Sequence, residues 1–442
     1  MYVDLNNPLE GTIALFKQLL AYRNLLFILI LLNSGIFFLT DDKKAGLPFM
    51  REMYLFGMVI AAGMLLFMWK RVYQSKSSLW ILFLGGVLPL ASAILANLNY
   101  GQPIIYGLLE ERRSLLYLSF FPTLYLLIKT APTQKHLENF FLYSAVLCGV
   151  VGFLYYFGII PENTNISFHV DEKDFVETLR PNRFMIGSSY VSIAVFMLLY
   201  RMRDRVSIAR VGLLLFFAAY LWLVIQTRQT MIIWSLAALW VFRNRIGSLL
   251  KLGSLASAVL IFSFFLVPEF YVEQYERFNA LLFEATSGPG VRDNTVAVIM
   301  QAVRDNYYVG LGALSLQWNG GFSGMYGPHF YLSDVGIVGV YHRFGFLTPL
   351  VALIFYGGYL WIMRQCKHKG PLLLAFQLTF WFGMLNMLLS NALMYGGATL
   401  GIATACFVYF AKVRNPAREQ GRTPVSPPIN WAHHDQLQRR HY

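Results

Sequence analysis

Six side chains carry the chemistry legible in this sequence: Arg180, Arg183, Arg228, Arg292, Arg304 and His329. An arginine is permanently charged and presents a planar fork of N–H donors. Several of them converging on one place therefore make a receptor for an anionic group, phosphates above all. An imidazole beside them titrates near neutral pH and can take a proton from a hydroxyl. Arg292, Arg304 and His329 fall in Pro268–Gly345, a long polar excursion in a chain that otherwise alternates apolar runs with brief charged connectors. The same stretch holds Arg277, His342, Arg343 and the glycines Gly310, Gly312, Gly320, Gly321, Gly324 and Gly327. Ordering so long a loop costs conformational entropy, which points to a lid or binding loop, here one that roofs an active site at a membrane face.

Each candidate has a functional and a bland reading. Pro289 and Gly290 break structure, and Asp293 or Asn294 can cap a helix running to about Tyr307. On that helix Arg292 shares a face with Val296, Ile299 and Val303, and Arg304 lies about 120° away. A cation at a helix start opposes the dipole, so Arg292 either holds an anion together with free backbone N–H groups or pairs with Asp293. Arg228, in Gln226-Thr-Arg-Gln-Thr, sits in a tight turn between two apolar runs, as a ligand for lipid phosphates or as a snorkelling anchor. His329 follows Tyr326-Gly-Pro just before the chain returns to apolar sequence, as a base or as a structural histidine. His342 and Arg343 are expected to cap or anchor the next apolar helix, and Arg180 and Arg183, flanking Pro181-Asn182, to add to a basic surface.

The elements that must position these residues are membrane helices. Of 442 residues, 57% are hydrophobic and only 13% charged, and apolar runs recur to residue 411. A run of roughly 20 apolar residues crosses about 30 Å of hydrocarbon as a helix. The expected fold is all-α, a polytopic membrane protein with about twelve spans and one large periplasmic loop containing short helices. It divides into a cytoplasmic arm (1–22), spans 1–9 (23–267), a periplasmic catalytic loop (268–345), spans 10–12 (346–411) and a disordered cytoplasmic tail (412–442). Fifteen Lys and Arg residues, from Lys70 to Lys369, concentrate in alternate connectors, which the positive-inside rule places in the cytoplasm with both termini. The long loop and the acid-rich connector Pro161–Asn182 then lie on the other side. The first apolar run lacks a small-residue cleavage site and reads as a retained helix. Cys148 and Cys406 lie in apolar runs and Cys366 in a connector, which argues against a disulfide framework. No His/Cys spacing suggests structural zinc, no cofactor motif is present, and no nucleic-acid motif accompanies the basic charge.

In this order of features the chain resembles the O-antigen ligase and O-antigen polymerase superfamily of bacterial envelope polysaccharide glycosyltransferases. The resemblance runs from about Asn182 to Ala411 and rests on Thr227-Arg228-Gln229, Arg292 followed by Gly310-Leu-Gly312, and His329-Phe-Tyr-Leu with Gly336-Ile-Val-Gly339. It implies metal-independent glycosyl transfer from an undecaprenyl-pyrophosphate-linked glycan at the periplasmic face of the bacterial inner membrane. Arg228 and Arg292 would face the pyrophosphate, His329 would deprotonate the acceptor, and Arg180, Arg183 and Arg304 would assist binding. Membrane lipids, a flippase and a chain-length regulator would be partners. The sequence departs from the family in lacking Ser-Arg-Gly at Arg228, a Trp after Arg292 and an Asn after His329, where Phe330 stands. Polymerisation of repeat units for O-antigen or exopolysaccharide therefore stands ahead of a ligase joining glycan to lipid A core. A lipid or polysaccharide transporter is the rival from another class, and the internal repeats expected of one are not found.

Overall fold

Away from water only a helix satisfies a segment's backbone within itself, so apolar runs with few Gly or Pro breaks fold as helices. The computed structural model describes residues 21–40, 45–68, 75–163, 183–283, 291–327, 330, 332–367, 369–388 and 392–412. Among them all regular structure is helical apart from two isolated bridges. The chain opens with α1 (Tyr22–Asn33), α2 (Met50–Met68), α3 (Lys76–Tyr100) and the short α4 (Ile104–Glu110). Next, α5 (Arg112–Leu115) passes through a 3-10 turn into α6 (Phe120–Thr130), followed by α7 (Gln134–Tyr156), α8 (Ser188–Asp204), α9 (Ile208–Ile225), α10 (Arg228–Phe242) and α11 (Ile246–Leu266). The polar stretch holds α12 (Pro268–Phe283), α13 (Val291–Asp305), α14 (Gly321–Tyr326) and α15 (Ile337–Phe344). The chain closes with α16 (Thr348–Gln365), α17 (Pro371–Leu385), α18 (Ala392–Tyr395) and α19 (Gly397–Lys412).

Five of these helices, α2, α3, α7, α9 and α11, are long and apolar enough to cross a membrane. Burial separates inner from outer helices. In α8 every residue from Val191 to Leu199 is buried except Ser192, and α8 packs against α7, α10 and α17. In α19 the run from Leu400 to Phe410 is buried against α6 and α16. By contrast α11 is almost wholly uncovered, with Phe262, Phe265 and Leu266 exposed, as Phe56 and Phe67 are on α2. So much uncovered apolar surface on long helices is the mark of a chain whose solvent there is hydrocarbon.

The two ends of α8 differ. Its last turn carries Arg201, which pairs with the buried carboxylate of Glu138 on α7. Arg210 donates to the Arg201 carbonyl at 2.7 Å, and Ser248 to that of Arg203 at 3.4 Å, so the starts of α7, α9 and α11 gather at this end. The opposite end begins at Gly187 and opens onto a cavity.

The polar stretch is not an unstructured loop. Its helices build a cap with a small core of its own, including Ile299, Val303, Leu311, Leu314, Phe322 and Phe330. The expected helix after Gly290 is present as α13, with Ile299 and Val303 on its buried face and Arg304 exposed. An extended segment from Gly310 to Ser315 lies along α3. Gln102 donates to the Ala313 carbonyl at 3.2 Å and accepts from the Ser315 amide at 2.7 Å. Gly312, at φ +77°, lies so close to α3 that a Cβ would stand 2.3 Å from the Ser92 carbonyl oxygen. This position demands glycine for contact as much as for conformation.

Candidate functional site

A cavity of about 260 Å³ lies where the first turns of several helices meet. That is below the about 300–1,000 Å³ typical of small-molecule pockets, room for a compact ionic group and not for a glycan chain. Two guanidinium groups line it, Arg51 from the first turn of α2 and Arg113 from the start of α5. Arg51 is steadied by donating to the Leu39 carbonyl at 2.7 Å, with its Cζ 5.9 Å from the centre of the Phe38 ring. Arg113 lies over the Tyr395 ring, Cζ to centroid 5.1 Å. The first residues of α8 (Ser188, Ser189, Tyr190) and of α19 (Ala398, Thr399) form further wall. The opening N–H groups of a helix have no partner within it, so both helix ends present donors and the positive pole of a dipole.

The floor is held by Asn33, whose amide hydrogens go to the Tyr190 hydroxyl and the Ala398 carbonyl, each at 2.9 Å, while its oxygen accepts from Tyr54 at 3.0 Å. That amide orientation follows from its three partners. Among the described residues no carboxylate or imidazole lines it. Its described lining thus offers N–H and hydroxyl donors and positive charge, the setting an anion favours. Among the described residues no three His, Cys, Asp or Glu side chains are grouped to hold a metal ion.

Behind the cavity wall lies a buried ion pair. Arg343 of α15 donates from Nε to Glu111 at 2.6 Å, from Nη1 to the Gly339 carbonyl at 3.0 Å and from Nη2 to the Tyr395 hydroxyl at 3.1 Å. Ser92 donates to the same Glu111 oxygen at 2.7 Å. Burial works against the Arg343 cation, but Glu111 and Tyr395 more than offset it and raise its pKa. Glu110, half-buried next door, has its carboxyl pKa raised by desolvation against the pull of Arg112, with Glu111 adding to the rise. His342 is fully buried, and burial together with Arg343 lowers its imidazole to about 3, so it is neutral. Its Nδ1 meets the Gly312 carbonyl at 3.1 Å, which fixes the proton there, and its Nε2 has no hydrogen-bond partner among the described residues.

Of the residues singled out from the sequence, Arg183 is brought to the end of α9, against Thr227, the residue before Arg228. The π-helical turn Leu221–Ile225 at the end of α9 turns its carbonyls outward. Val224 accepts from the Phe184 amide at 3.0 Å and Ile225 from Arg183 Nε at 3.2 Å. Arg183 Nη2 also reaches Thr227, the residue before Arg228, and Met185, which lines the cavity. Arg228 opens α10 half-exposed, with no hydrogen bond or ion pair among the described residues. Arg304 is exposed on α13, which packs on α15. Arg292 belongs to α13, but its side chain, like that of Arg277, lies outside the described residues, as do Arg180 and His329. Phe330, next to His329, is packed in the cap against Phe322, Tyr326 and His342.

The expectation that His342 and Arg343 cap or anchor the following helix is corrected. Both are buried side chains of α15, turned inward to Gly312 and Glu111, and a charge so placed has to find an opposite one. Arg51, Arg113 and Glu111 escaped notice in the sequence. Their signal is there: Arg51 and Arg113 are basic residues in connectors that the charge pattern assigns to the acid-bearing side, each beside a carboxylate, Glu52 or Glu110–Glu111. No protein-family model matches the chain, and no curated protein and no solved structure is found to be similar to it.

Proposed function

We propose that the chain is an integral membrane glycosyltransferase that polymerises undecaprenyl-pyrophosphate-linked oligosaccharide repeat units for O-antigen or exopolysaccharide. On this reading about twelve helices cross the bacterial inner membrane, both termini lie in the cytoplasm, and the cap and cavity face the periplasm. The observation that carries the proposal is the cavity, on which two arginines and two helix N-termini converge. Such a site favours negative charge and stabilises a diphosphate as it leaves, since its donors are fixed before the reaction begins. Arg183 and Arg228 extend the basic surface at the Met185 rim, and Arg292 and Arg304 act from the cap. His329 takes the proton of the acceptor hydroxyl, a step typically worth 10²–10⁴ in rate. The sidedness is supported by α8, whose Arg201 end gathers the basic connectors while its other end opens the cavity.

Purified protein given lipid-linked repeat units and nothing else tests the reading. A ladder of lengthened glycans is expected, and Arg292→Ala should abolish it at normal expression. Transfer that appears only after lipid A core is added would replace the polymerase with a ligase. Vectorial movement with no new glycosidic bond would replace both with a transporter.

A further inference from the structure

Just past the end of α13, glycine would make the turn with less strain than the residues that stand there. Tyr307 and Tyr308 are both left-handed, at φ +53° and +61°, and nowhere else among the described residues do two neighbours other than glycine share that conformation. A Cβ in that region crowds the following carbonyl, which is why glycine is the usual residue at this place. The turn is closed nonetheless. The Tyr308 amide donates to the Val303 carbonyl at 2.8 Å, the Tyr307 amide to that of Arg304 at 3.1 Å and the Phe346 amide to that of Tyr308 at 2.9 Å. Packing of the rings within the fold does not offset the strain, for Tyr307 is 88% and Tyr308 51% exposed. Bulky side chains kept on a disfavoured backbone and left uncovered point to a partner outside the chain.

The surroundings identify that partner. The bond from Phe346 to Tyr308 and the bridge between Val309 and Gly345 tie the turn to the start of α16, along which Phe346, Leu350 and Leu353 follow at helical spacing, all exposed. Asn99 donates to the Gly310 carbonyl at 3.3 Å and so brings in the end of α3, whose Leu90, Ile94 and Leu98 form a second exposed stripe. This α3 is one of the five helices long and apolar enough to cross a membrane, and its Trp80 donates to the Ile354 carbonyl of α16 at 2.9 Å, so the two helices lie side by side. Both apolar stripes run out at the turn. Tyrosine suits that level, since its ring is apolar and its hydroxyl polar, and such residues gather where hydrocarbon gives way to headgroups. We propose that the Tyr307–Tyr308 turn is a lipid anchor, whose rings lie among phospholipid headgroups and fix the height of the cap at the membrane surface. This holds whatever the cavity binds.

Nitroxide labelling of the full chain in phospholipid nanodiscs tests this, read as the label's access to oxygen and to a water-soluble nickel chelate. Cys148, Cys366 and Cys406 are buried, and the native chain taken through the same labelling is the blank. Tyr307→Cys carries the label at the turn, Leu90→Cys in the middle of α3 gives the hydrocarbon reference, and Gln317→Cys, exposed on the cap, gives the water reference. The label at 307 is expected to read between the two, at headgroup depth. A label there as open to the chelate as that at 317, or as deep as that at 90, overturns the proposal. So does shielding from both reagents, which would mean that protein covers the turn, with dipolar broadening between labels identifying a second copy. Tyr307→Trp keeps a ring at the position and checks the ring itself. Its added fluorescence should be quenched more by lipids brominated near the headgroup than by lipids brominated at the chain end, and the reverse order, or no quenching by either, overturns the proposal as well.

Discussion

The two ends of α8 use arginine in opposite electrostatic settings. At the Arg201 end basic residues occupy the last turns of helices, Lys129 of α6, Arg201 and Arg203 of α8 and Arg364 of α16. There they face the negative pole of the helix, and local stability suffices to explain them. At the cavity end Arg51 and Arg228 occupy the opening residues of α2 and α10, where the dipole repels a cation. A charge placed against its local field is offset by something outside the helix, to which, on the proposed function, a bound anion contributes. Lys135 of α7 and Arg210 of α9 open helices at the Arg201 end as well, so what sets the cavity end apart is that two arginines there line one cavity.

The sharpest way to break this comparison is to remove charge at each end in turn. Arg51→Gln with Arg113→Gln should reduce glycan transfer by more than about 100-fold, the scale seen when fixed donors to a developing charge are lost. Arg203→Gln with Arg245→Gln should leave transfer within about twofold. Comparable losses from the two pairs, measured on protein reconstituted at equal amounts, would erase the distinction between the ends.

Acid should also discriminate between them. The His342 imidazole, lowered to about 3 in the fold, stays neutral while an unfolded histidine near 6.5 takes up a proton. The unfolded state therefore binds more protons below that value, and stability falls as the pH drops from 6.5 towards 3. Between pH 7 and pH 5 the loss should be about 2 kcal/mol, read as thermal unfolding of the cap and cavity end. His342→Gln, which cannot titrate and keeps an amide donor towards Gly312, should flatten that slope. An unchanged slope would mean that the acid sensitivity has another source.

The smallest effect is the most direct test of the dipole argument. Arg228→Gln, at the first residue of α10, should raise stability by about 0.3–1 kcal/mol in the absence of ligand, and Arg203→Gln, in the last turn of α8, should lower it by a similar amount. Shifts of the same sign would remove the contrast between the two ends.

How much of this was legible beforehand depends on the range of the interaction. The helices inside the apolar runs were readable, because a long apolar segment has one way to satisfy its backbone, and α13 was readable from Pro289, Gly290 and its apolar period. The pairing of Arg183 with the end of α9 was not, since it depends on a π-helical turn at Leu221–Ile225 that no local signal marks. The cavity is harder still. Its walls come from residues as far apart in sequence as Asn33, Arg113, Tyr190 and Tyr395, and nothing in a single chain written in one line brings them together. The Glu111–Arg343 pair spans 232 positions for the same reason, although two carboxylates opening an apolar run are a reminder that a buried charge demands a partner.

One dimension of α8 bears on how a substrate arrives. With 17 residues at about 1.5 Å each the helix is about 25 Å long, shorter than the roughly 30 Å of hydrocarbon it would stand in. On the proposed topology its outer end stops beneath the membrane surface, and the anion site is sunk with it. A polyprenyl carrier could then slide in sideways and bring its phosphates to the arginines with its tail still among the lipids, sparing the cost of lifting a greasy chain into water.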